Sequence, residues 1–299
     1  MHVSTLDFDP ASLLQLLING TVTGASYALL AAGLLLVYRA FKFINFAHGE
    51  LAAWGAYLAL LFMHHPFSLP FQMAVLPALG IVVVMGFSQD KFVYGPLREK
   101  GHLILLTASL GLSFLLRNVL ILLWGNGTQH YGLEEKSTFA VSGLAITDGQ
   151  AIALAAALTI LGFFALFMKF TIRGKNLRAF FDDRDLARSM GISMDKIAFP
   201  IWIMASFSAG CGGIIMAANS AFDPLMAPTG LIKAFAAFLL GGGLNIGGVL
   251  LGGLLIGAAA QLTGYFVSPR AADYLPFLII VAALLLKRHR NVLARGDDL

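Results

Sequence analysis

The sequence contains little charge and only one cysteine. Asp, Glu, Lys and Arg make up 12% of the 299 residues, about half the fraction found in an average soluble domain. Apolar residues make up 58%, so too few polar residues remain to build a second, soluble domain. Cys211 has no second cysteine to pair with and lies among alanines and glycines. This setting favours a packing role over a reactive thiol.

Motifs for nucleotide binding, metal binding and nucleophilic catalysis are also absent. The nearest match to a P-loop, Gly174-Lys175-Asn176, lacks the leading glycine and the hydroxyl residue. No His-Glu-x-x-His, Cys-x-x-Cys or Gly-x-Ser-x-Gly sequence occurs. We therefore expect no enzyme activity, catalytic residues, cofactor or metal in this chain. The first ten residues contain Asp7 and Asp9 but no Lys or Arg, which argues against a cleaved signal peptide.

Long apolar runs are the dominant feature of the sequence. A helix needs roughly 20 apolar residues to cross a bilayer, and three of the runs are shorter than this. The sequence predicts an all-α polytopic transmembrane bundle with about eight or nine hydrophobic segments, including broken or re-entrant elements, in a single transmembrane domain over residues 1–299. The runs lie near 11–37, 51–63, 71–88, 103–124, 150–168, 199–219, 231–243, 247–267 and 274–286.

The positive charges are distributed unevenly between the links. Sixteen of the 20 Lys and Arg residues fall in the links 38–50, 89–102 and 169–198 and in the C-terminal tail. Cytoplasmic loops carry such an excess of Lys and Arg. We therefore expect these links and the C-terminus in the cytoplasm, and the N-terminus and the link 125–149 outside. Arg117 lies deep in an apolar run and should face the bundle interior or reach outward, whereas Lys233 is expected to extend to the external interface.

Two stretches place polar groups or many glycines inside apolar sequence. The first runs from Phe41 to Glu50 and the second from Gly241 to Gly248. Small residues let membrane helices pack closely, but broken helices also line substrate paths in transporters. The residues proposed for a substrate pathway are Asn45, His48, Glu50, Gly242 and Asn245. For His48, a structural hydrogen bond and a functional role are both open.

The link 169–198 contains an amphipathic segment. Asn176 is predicted to cap a helix that runs to about Met190 and ends at Gly191. Leu177 and Phe181 are four residues apart and share its apolar face. Such a helix either lies on lipid headgroups or docks a cytoplasmic partner through its apolar face. The mixed charge of its polar face favours docking.

Several motifs resemble one transporter family. Ile44-Asn45-Phe46-Ala47-His48-Gly49-Glu50, followed by Gly55 and Tyr57, is similar to the hallmark of the LivH-type permease subunits of branched-chain amino acid ABC importers. The stretches Gly230–Gly242, Thr171–Ile192 and Asn19–Gly33 resemble further segments of that family, so the resemblance covers about residues 12–287. Two departures are Gly243-Leu244-Asn245-Ile246-Gly247, which lacks the family's proline, and Arg117, where relatives often have an uncharged or acidic residue.

The resemblance implies a mechanism and a set of partners. A permease of this family sits in the bacterial cytoplasmic (inner) membrane and pairs with a homologous LivM-type subunit or a second copy. A periplasmic solute-binding protein delivers branched-chain or other hydrophobic amino acids, and two cytoplasmic ATP-binding subunits supply the energy. The residues implied in coupling to those ATPases are Gly174, Arg178, Ala179, Phe181, Asp185 and Gly191. The alternatives are a urea or short-chain amide ABC permease, a stand-alone secondary transporter or channel, and a membrane enzyme.

Overall fold

The computed structural model describes residues 10–133, 138–141, 144–243 and 245–296, and these residues are mostly helical. Asp7, Asp9 and Lys136, which entered the expectations about processing and orientation, lie outside the described residues. The helices are α1 (Pro10–Phe41), α2 (Ala47–Met63), α3 (Phe71–Gln89), α4 (Gly95–Leu97), α5 (His102–Trp124), α6 (Asp148–Phe170), α7 (Ile172–Asp182), α8 (Arg184–Ser189), α9 (Met194–Asn219), α10 (Met226–Leu240), α11 (Ile246–Phe266) and α12 (Pro269–Gly296). A π-helical turn (Asp90–Tyr94) joins α3 to α4, and a 3-10 turn (Arg98–Lys100) follows α4.

The predicted membrane segments are confirmed as helices. Each of the nine apolar runs overlaps a helix, and several helices extend beyond their run by four or more residues. Among the described residues, six helical stretches are long and apolar enough to cross a membrane, from Ser12–Phe41 to Ile246–Phe266. Of the three short runs, the last lies within the 28-residue helix α12. By contrast, α2 has 17 residues and α10 has 15, so both stay below the roughly 20 residues of a full span.

The link between α5 and α6 contains the only β-sheet among the described residues. Strands β1 (Thr138–Val141) and β2 (Leu144–Thr147) pair antiparallel, with Thr138 opposite Thr147 and Val141 opposite Leu144. The side chain of Gln15 in α1 accepts a hydrogen bond from the Ala145 N–H and donates one to the Ala145 carbonyl, both at 2.8 Å. These bonds attach the hairpin to the N-terminal end of α1.

Helices α1 and α9 form the centre of the bundle. In the most apolar window of each helix, 89% of the residues are buried in α1 and 78% in α9, whereas only 22% are buried in α5 and in α6. α1 packs against α9, α10 and α11, and α9 also packs against α2 and α3. The outer helices therefore present their apolar side chains to lipid or to a partner, and the polar residues of α2 lie against the buried core.

Glycine brings α1 and α11 into backbone contact. Gly20 and Gly24 on α1 face Gly253 and Gly257 on α11, and the spacing of four places each pair on one face of its helix. A Cβ atom built on Gly257 would lie 2.2 Å from the Gly20 carbonyl oxygen, and one on Gly24 would lie 2.6 Å from the Gly253 carbonyl oxygen. The interpretation of these glycines as residues that allow close helix packing is confirmed.

The predicted single helix in the link 169–198 is wrong. Asn176 lies inside α7, and the cap is Thr171, whose hydroxyl oxygen accepts the Gly174 N–H at 2.9 Å. The backbone then turns extended at Asp183, whose carboxylate accepts the N–H groups of Asp185 and Leu186 and starts α8. An aspartate that can cap a new helix competes with continuation of the old one. The predicted end at Gly191 is confirmed, with φ of 82°.

We expect Gly257→Ala to lower the stability of the bundle, because the added methyl group meets backbone atoms that have no room to move. Overpacking of this kind costs about 1–3 kcal/mol. Gly162→Ala in α6 is the matched control, since a Cβ there meets no atom within 4 Å. Thermal unfolding of the purified proteins in detergent should show a lower Tm for the first variant only. Equal Tm values would contradict the proposed α1–α11 contact.

Candidate functional site

Asn45 fixes the break between α1 and α2. α1 ends at Phe41 and α2 begins at Ala47, and the side chain of Asn45 is fully buried between them. Its Oδ1 accepts the Ala47 N–H at 3.0 Å and the Tyr94 hydroxyl at 2.8 Å. The amide therefore caps the start of α2 and ties it to the π-helical turn that follows α3.

His48 joins α2 to α1. Its Nε2 lies 3.0 Å from the Leu30 carbonyl oxygen, so Nε2 carries the proton and donates. The imidazole is fully buried, and a Cβ on Gly33 would lie 2.5 Å from its Cε1 and 2.7 Å from the Ser208 hydroxyl oxygen. Only glycine at position 33 leaves room for the imidazole where α1, α2 and α9 meet. The structural role considered for His48 is thus present.

Glu50 forms a buried ion pair with α5. Its Oε1 accepts hydrogen bonds from the Ser113 hydroxyl at 2.8 Å and from Arg117 Nε at 3.1 Å and Nη2 at 2.5 Å. The Glu50 side chain is 1% exposed and that of Arg117 is 19% exposed. Of the two alternatives expected for Arg117, the structure shows a side chain directed into the bundle, where it pairs with Glu50. A carboxylate and a guanidinium at this depth compensate each other's loss of hydration.

These three residues contact three different neighbours, so they do not converge on a single binding site. Each nevertheless keeps one buried polar atom that has no hydrogen-bond partner among the described residues: Asn45 Nδ2, His48 Nδ1 and Glu50 Oε2. Buried polar atoms in proteins are satisfied by protein groups, water or solute. The start of α2 therefore offers unused donors and acceptors within an apolar bundle.

Gly242 and Asn245 lie elsewhere, in the turn between α10 and α11. Gly242 and Gly243 have φ values of 76° and 64°, and the N–H of Gly243 bonds to the Phe238 carbonyl, which ends α10. Asn245 caps α11, because its Oδ1 accepts the Gly248 N–H at 2.6 Å. Among the described residues, no hydrogen bond or ion pair links this turn to Asn45, His48 or Glu50. The five residues proposed for a substrate pathway therefore lie in two separate places.

The residues implied in ATPase coupling divide into exposed and buried sets. Arg178, Ala179, Asp185 and Gly191 are exposed, whereas Gly174 and Phe181 are buried. The interpretation of the α7 apolar face as a free docking face is wrong, because Leu177, Phe180 and Phe181 pack into the chain's own core. Phe181 also lies under the Arg39 guanidinium, 4.7 Å from its ring centroid. The exposed apolar groups nearby are instead Leu186 of α8, at 62%, and Met190 directly after α8, at 76%.

Gly174 sets the corner between α6 and α7. A Cβ there would lie 2.2 Å from the Phe167 carbonyl oxygen, so only glycine permits this close turn. Its contribution is to position α7, which brings Arg178 and Ala179 to the surface.

Positive charge gathers where α1 meets α7 and α8. The Arg184 guanidinium donates to the Ala40 carbonyl, and Arg39 pairs with Asp182 at 3.2 Å. Burial lowers the pKa of Lys42, and the neighbouring cations Arg184 and Arg39 lower this pKa further. Burial, followed by the charge of Arg188, also lowers the pKa of Arg184. This end of the bundle is therefore electropositive.

Lys233 does not extend to the interface as expected. Its ammonium group pairs with Asp273 of α12 at 3.0 Å and lies 5.7 Å from the ring centroid of Tyr27 in α1. The side chain is 13% exposed. The expectation was wrong because it did not include a carboxylate on a helix that the chain reaches 40 residues later.

Sequence reasoning missed the partners of the α2 residues. Ser109, Ser113 and Arg117 recur every four residues on α5, and this spacing was a usable signal of a polar stripe facing α2. The sequence could not identify the Leu30 carbonyl and the Tyr94 hydroxyl as partners, because every residue has a backbone carbonyl and a single tyrosine forms no recognisable pattern. The described residues contain no group of three or more His, Cys, Asp or Glu side chains arranged to hold a metal ion.

Comparison with known proteins identifies relatives along almost the whole chain. Residues 16–284 match the model of the family described as "Branched-chain amino acid transport system / permease component". The chain is 27% identical to the high-affinity branched-chain amino acid transport system permease protein LivH of Salmonella typhimurium, over 91% of this chain and 92% of the relative. It is 28% identical to LivH of Escherichia coli, with the same coverage. It is 29% identical to BraD of Pseudomonas aeruginosa, over 95% and 96%. All three relatives are named as permeases.

We expect Glu50→Gln and Arg117→Gln each to destabilise the bundle strongly, because each leaves a buried charge without its partner. Breaking a buried pair costs about 3–5 kcal/mol. The double variant should lose less than the sum of the two single losses, as measured by the free energy of unfolding in detergent.

The matched control is the Arg39–Asp182 pair, in which the Asp182 side chain is 75% exposed. Arg39→Gln and Asp182→Asn should cost about 0–1 kcal/mol. Strictly additive losses for Glu50→Gln and Arg117→Gln would show that the two residues do not interact.

Proposed function

This chain belongs to the branched-chain amino acid transport permease family, and we propose that it is the membrane-spanning permease subunit of an ATP-driven importer. The observation that carries this proposal is the family match over residues 16–284. The helical bundle supports it, because the chain consists largely of apolar helices with polar groups placed inside them. No P-loop sequence is present in the chain, so ATP hydrolysis is assigned to separate subunits.

The proposed substrates are branched-chain or other hydrophobic amino acids. The relatives are named for branched-chain amino acids, and an apolar side chain suits the apolar interior of the bundle. Asn45, His48 and Glu50 each keep an unpaired polar atom, which can hydrogen-bond to a hydrated solute. These residues are the proposed contribution of α2 to the pathway, and Gly242 and Asn245 are proposed to shape the pathway at the end where α10 stops.

The proposed orientation places the C-terminus in the cytoplasm and the N-terminus outside, in the bacterial inner membrane. Sixteen of the 20 Lys and Arg residues then lie on the cytoplasmic side. The cluster of Lys42, Arg39 and Arg184 supports this assignment, because it joins two of the basic links at one end of the bundle.

Two cytoplasmic ATP-binding subunits are proposed to dock at α7 and α8. The exposed residues Arg178 and Asp185 offer polar contacts, Ala179 offers a small apolar surface, and Gly191 follows α8. Leu186 and Met190 add an exposed apolar patch next to these groups. The buried residues Phe181 and Gly174 hold α7 in position against the rest of the bundle. A second permease subunit, homologous or identical, and a periplasmic solute-binding protein complete the proposed importer.

Uptake of labelled leucine tests the proposed function. We expect cells that lack this gene to lose most high-affinity uptake and to regain it when the gene is restored. Unlabelled isoleucine should block the restored uptake, whereas urea should not, because urea has neither the charges nor the apolar side chain of leucine.

The control is a strain that carries the gene with Gly257→Ala and Gly24→Leu, in which the helix packing is disrupted. Inhibition by urea but not by isoleucine would transfer the substrate to the urea and amide class. Leucine uptake that does not depend on the gene, in cells that express the partner subunits, would contradict the proposal.

A further inference from the structure

A small cavity lies between α10 and α12, away from the polar groups of α2. Its volume is about 280 Å³, which is near the lower end of the range for small-molecule sites. It lies near the first residues of both helices, the end that the proposed orientation places outside. The lining residues are Thr229, Ile232, Arg270, Asp273, Tyr274 and Phe277.

The lining follows from helical spacing. Arg270, Asp273, Tyr274 and Phe277 stand at positions i, i+3, i+4 and i+7 of α12 and share one face. This face combines a cation, an anion and two aromatic rings. Ile232 of α10 closes the apolar part of the cavity from the other side. The cavity therefore has a charged part and an apolar part.

Asp273, the anion in the lining, is held in place by an ion pair and remains accessible to a ligand. Lys233 binds Asp273 Oδ1 at 3.0 Å, and the lysine side chain is 13% exposed while the Asp273 side chain is 59% exposed. Tyr27 supports the ammonium group from α1, with its ring centroid 5.7 Å away. An ion pair anchored on three helices keeps the carboxylate fixed, and its exposed part can accept further hydrogen bonds.

Arg270 is the cation in the lining of this cavity. Arg270 is exposed and makes no ion pair with any residue that the structure describes. Arg270, Lys233 and Asp273 together carry a net charge of +1. Lipid is a poor neighbour for such a group of charges near membrane depth. Water at the external end of the bundle and a charged solute solvate these charges better than lipid does.

We infer that this cavity binds a zwitterionic hydrophobic amino acid at the outer mouth of the permease. Arg270 binds the α-carboxylate, because a guanidinium is suited to bidentate recognition of a carboxylate. Asp273 accepts hydrogen bonds from the α-ammonium group. Ile232, Tyr274 and Phe277 contact the apolar side chain. This inference rests on the proposed function and adds a site that selects for both charges of the amino acid together.

The test measures protection of an introduced thiol by free amino acid. Thr229→Cys places a thiol in the cavity wall, and the native Cys211 is buried, so a membrane-impermeant maleimide reports on position 229. The sample is the complete permease–ATPase complex in proteoliposomes, without the solute-binding protein. That omission matters because the binding protein would itself select between ligands.

Leucine should slow labelling of Cys at 229 in a saturable way. 4-Methylpentanoate, which lacks the ammonium group, and 3-methylbutylamine, which lacks the carboxylate, should not. Adding Asp273→Asn or Arg270→Gln should weaken the protection by leucine about tenfold, the effect of losing one charge-assisted hydrogen bond. Ser220→Cys, exposed at the end of α9 on the same side, is the control and should label at the same rate with and without leucine.

Two results would overturn the inference. One is labelling of Cys at 229 that leucine does not slow. The other is equal protection by leucine and by either single-charge analogue. If Asp273→Asn fails to reach the membrane because Lys233 loses its partner, Arg270→Gln decides, since that arginine supports no ion pair.

The same proteoliposomes, supplied with the binding protein and ATP, separate this inference from the proposed function. Leucine uptake without protection at position 229 would refute the site and leave the permease assignment standing. The site would also be refuted if Arg270→Gln lowered uptake only by weakening attachment of the binding protein, while protection by leucine stayed unchanged.

Discussion

Two helices can approach only as closely as their side chains allow, and glycine sets that limit where α1 meets α11. Gly20 and Gly24 face Gly253 and Gly257 at distances that leave no room for a methyl group. A similar approach joins α9 to α2, since a Cβ on Gly213 would lie 2.0 Å from the Ala52 carbonyl oxygen. In lipid, apolar side chains gain little from meeting each other, so close packing and polar contacts must hold the helices together. The central position of α1 and α9 follows from these contacts.

With α1 and α9 fixed, the polar residues of α2 acquire defined partners. Gly33 makes room for the His48 ring, which binds the Leu30 carbonyl through the gap. On the other side, Glu50 meets Arg117 and Ser113. The short α2 thus begins inside the bundle and is held from both sides. The short helix α10 is also held by a charged pair, because its Lys233 binds Asp273 of α12. In both places a short helix carries a charged group that is paired with a charge on another helix.

The sequence predicted the positions of the helices and several single residues, but few of the contacts. Apolar runs and their lengths were sufficient for the membrane segments, and Gly191 was correctly expected to end α8. Arg117 was expected either to face inward or to reach outward, because an exposed cation in lipid is costly, and only its contact with Glu50 decides between the two. By contrast, Thr171, Asn176 and Asp183 are all good caps, and tertiary packing decided between them. Phe181 was placed on a free surface because periodicity gives the apolar face of a helix without saying what covers it. The partner of Lys233 lies 40 residues away, and no local pattern predicts such a pair.

The central claim is that this chain moves solute only when ATP-binding subunits act on α7 and α8. Leucine uptake into proteoliposomes tests it most directly, with the permease, its partner permease, the binding protein and the ATPases supplied or withheld. The account predicts uptake only with ATP and ATPases, and its loss when Leu186 and Met190 are both changed to Asp, while Asn176→Asp on the same link has no effect. Uptake by the permease alone, without ATPases or ATP, would contradict the account and indicate a secondary transporter or channel.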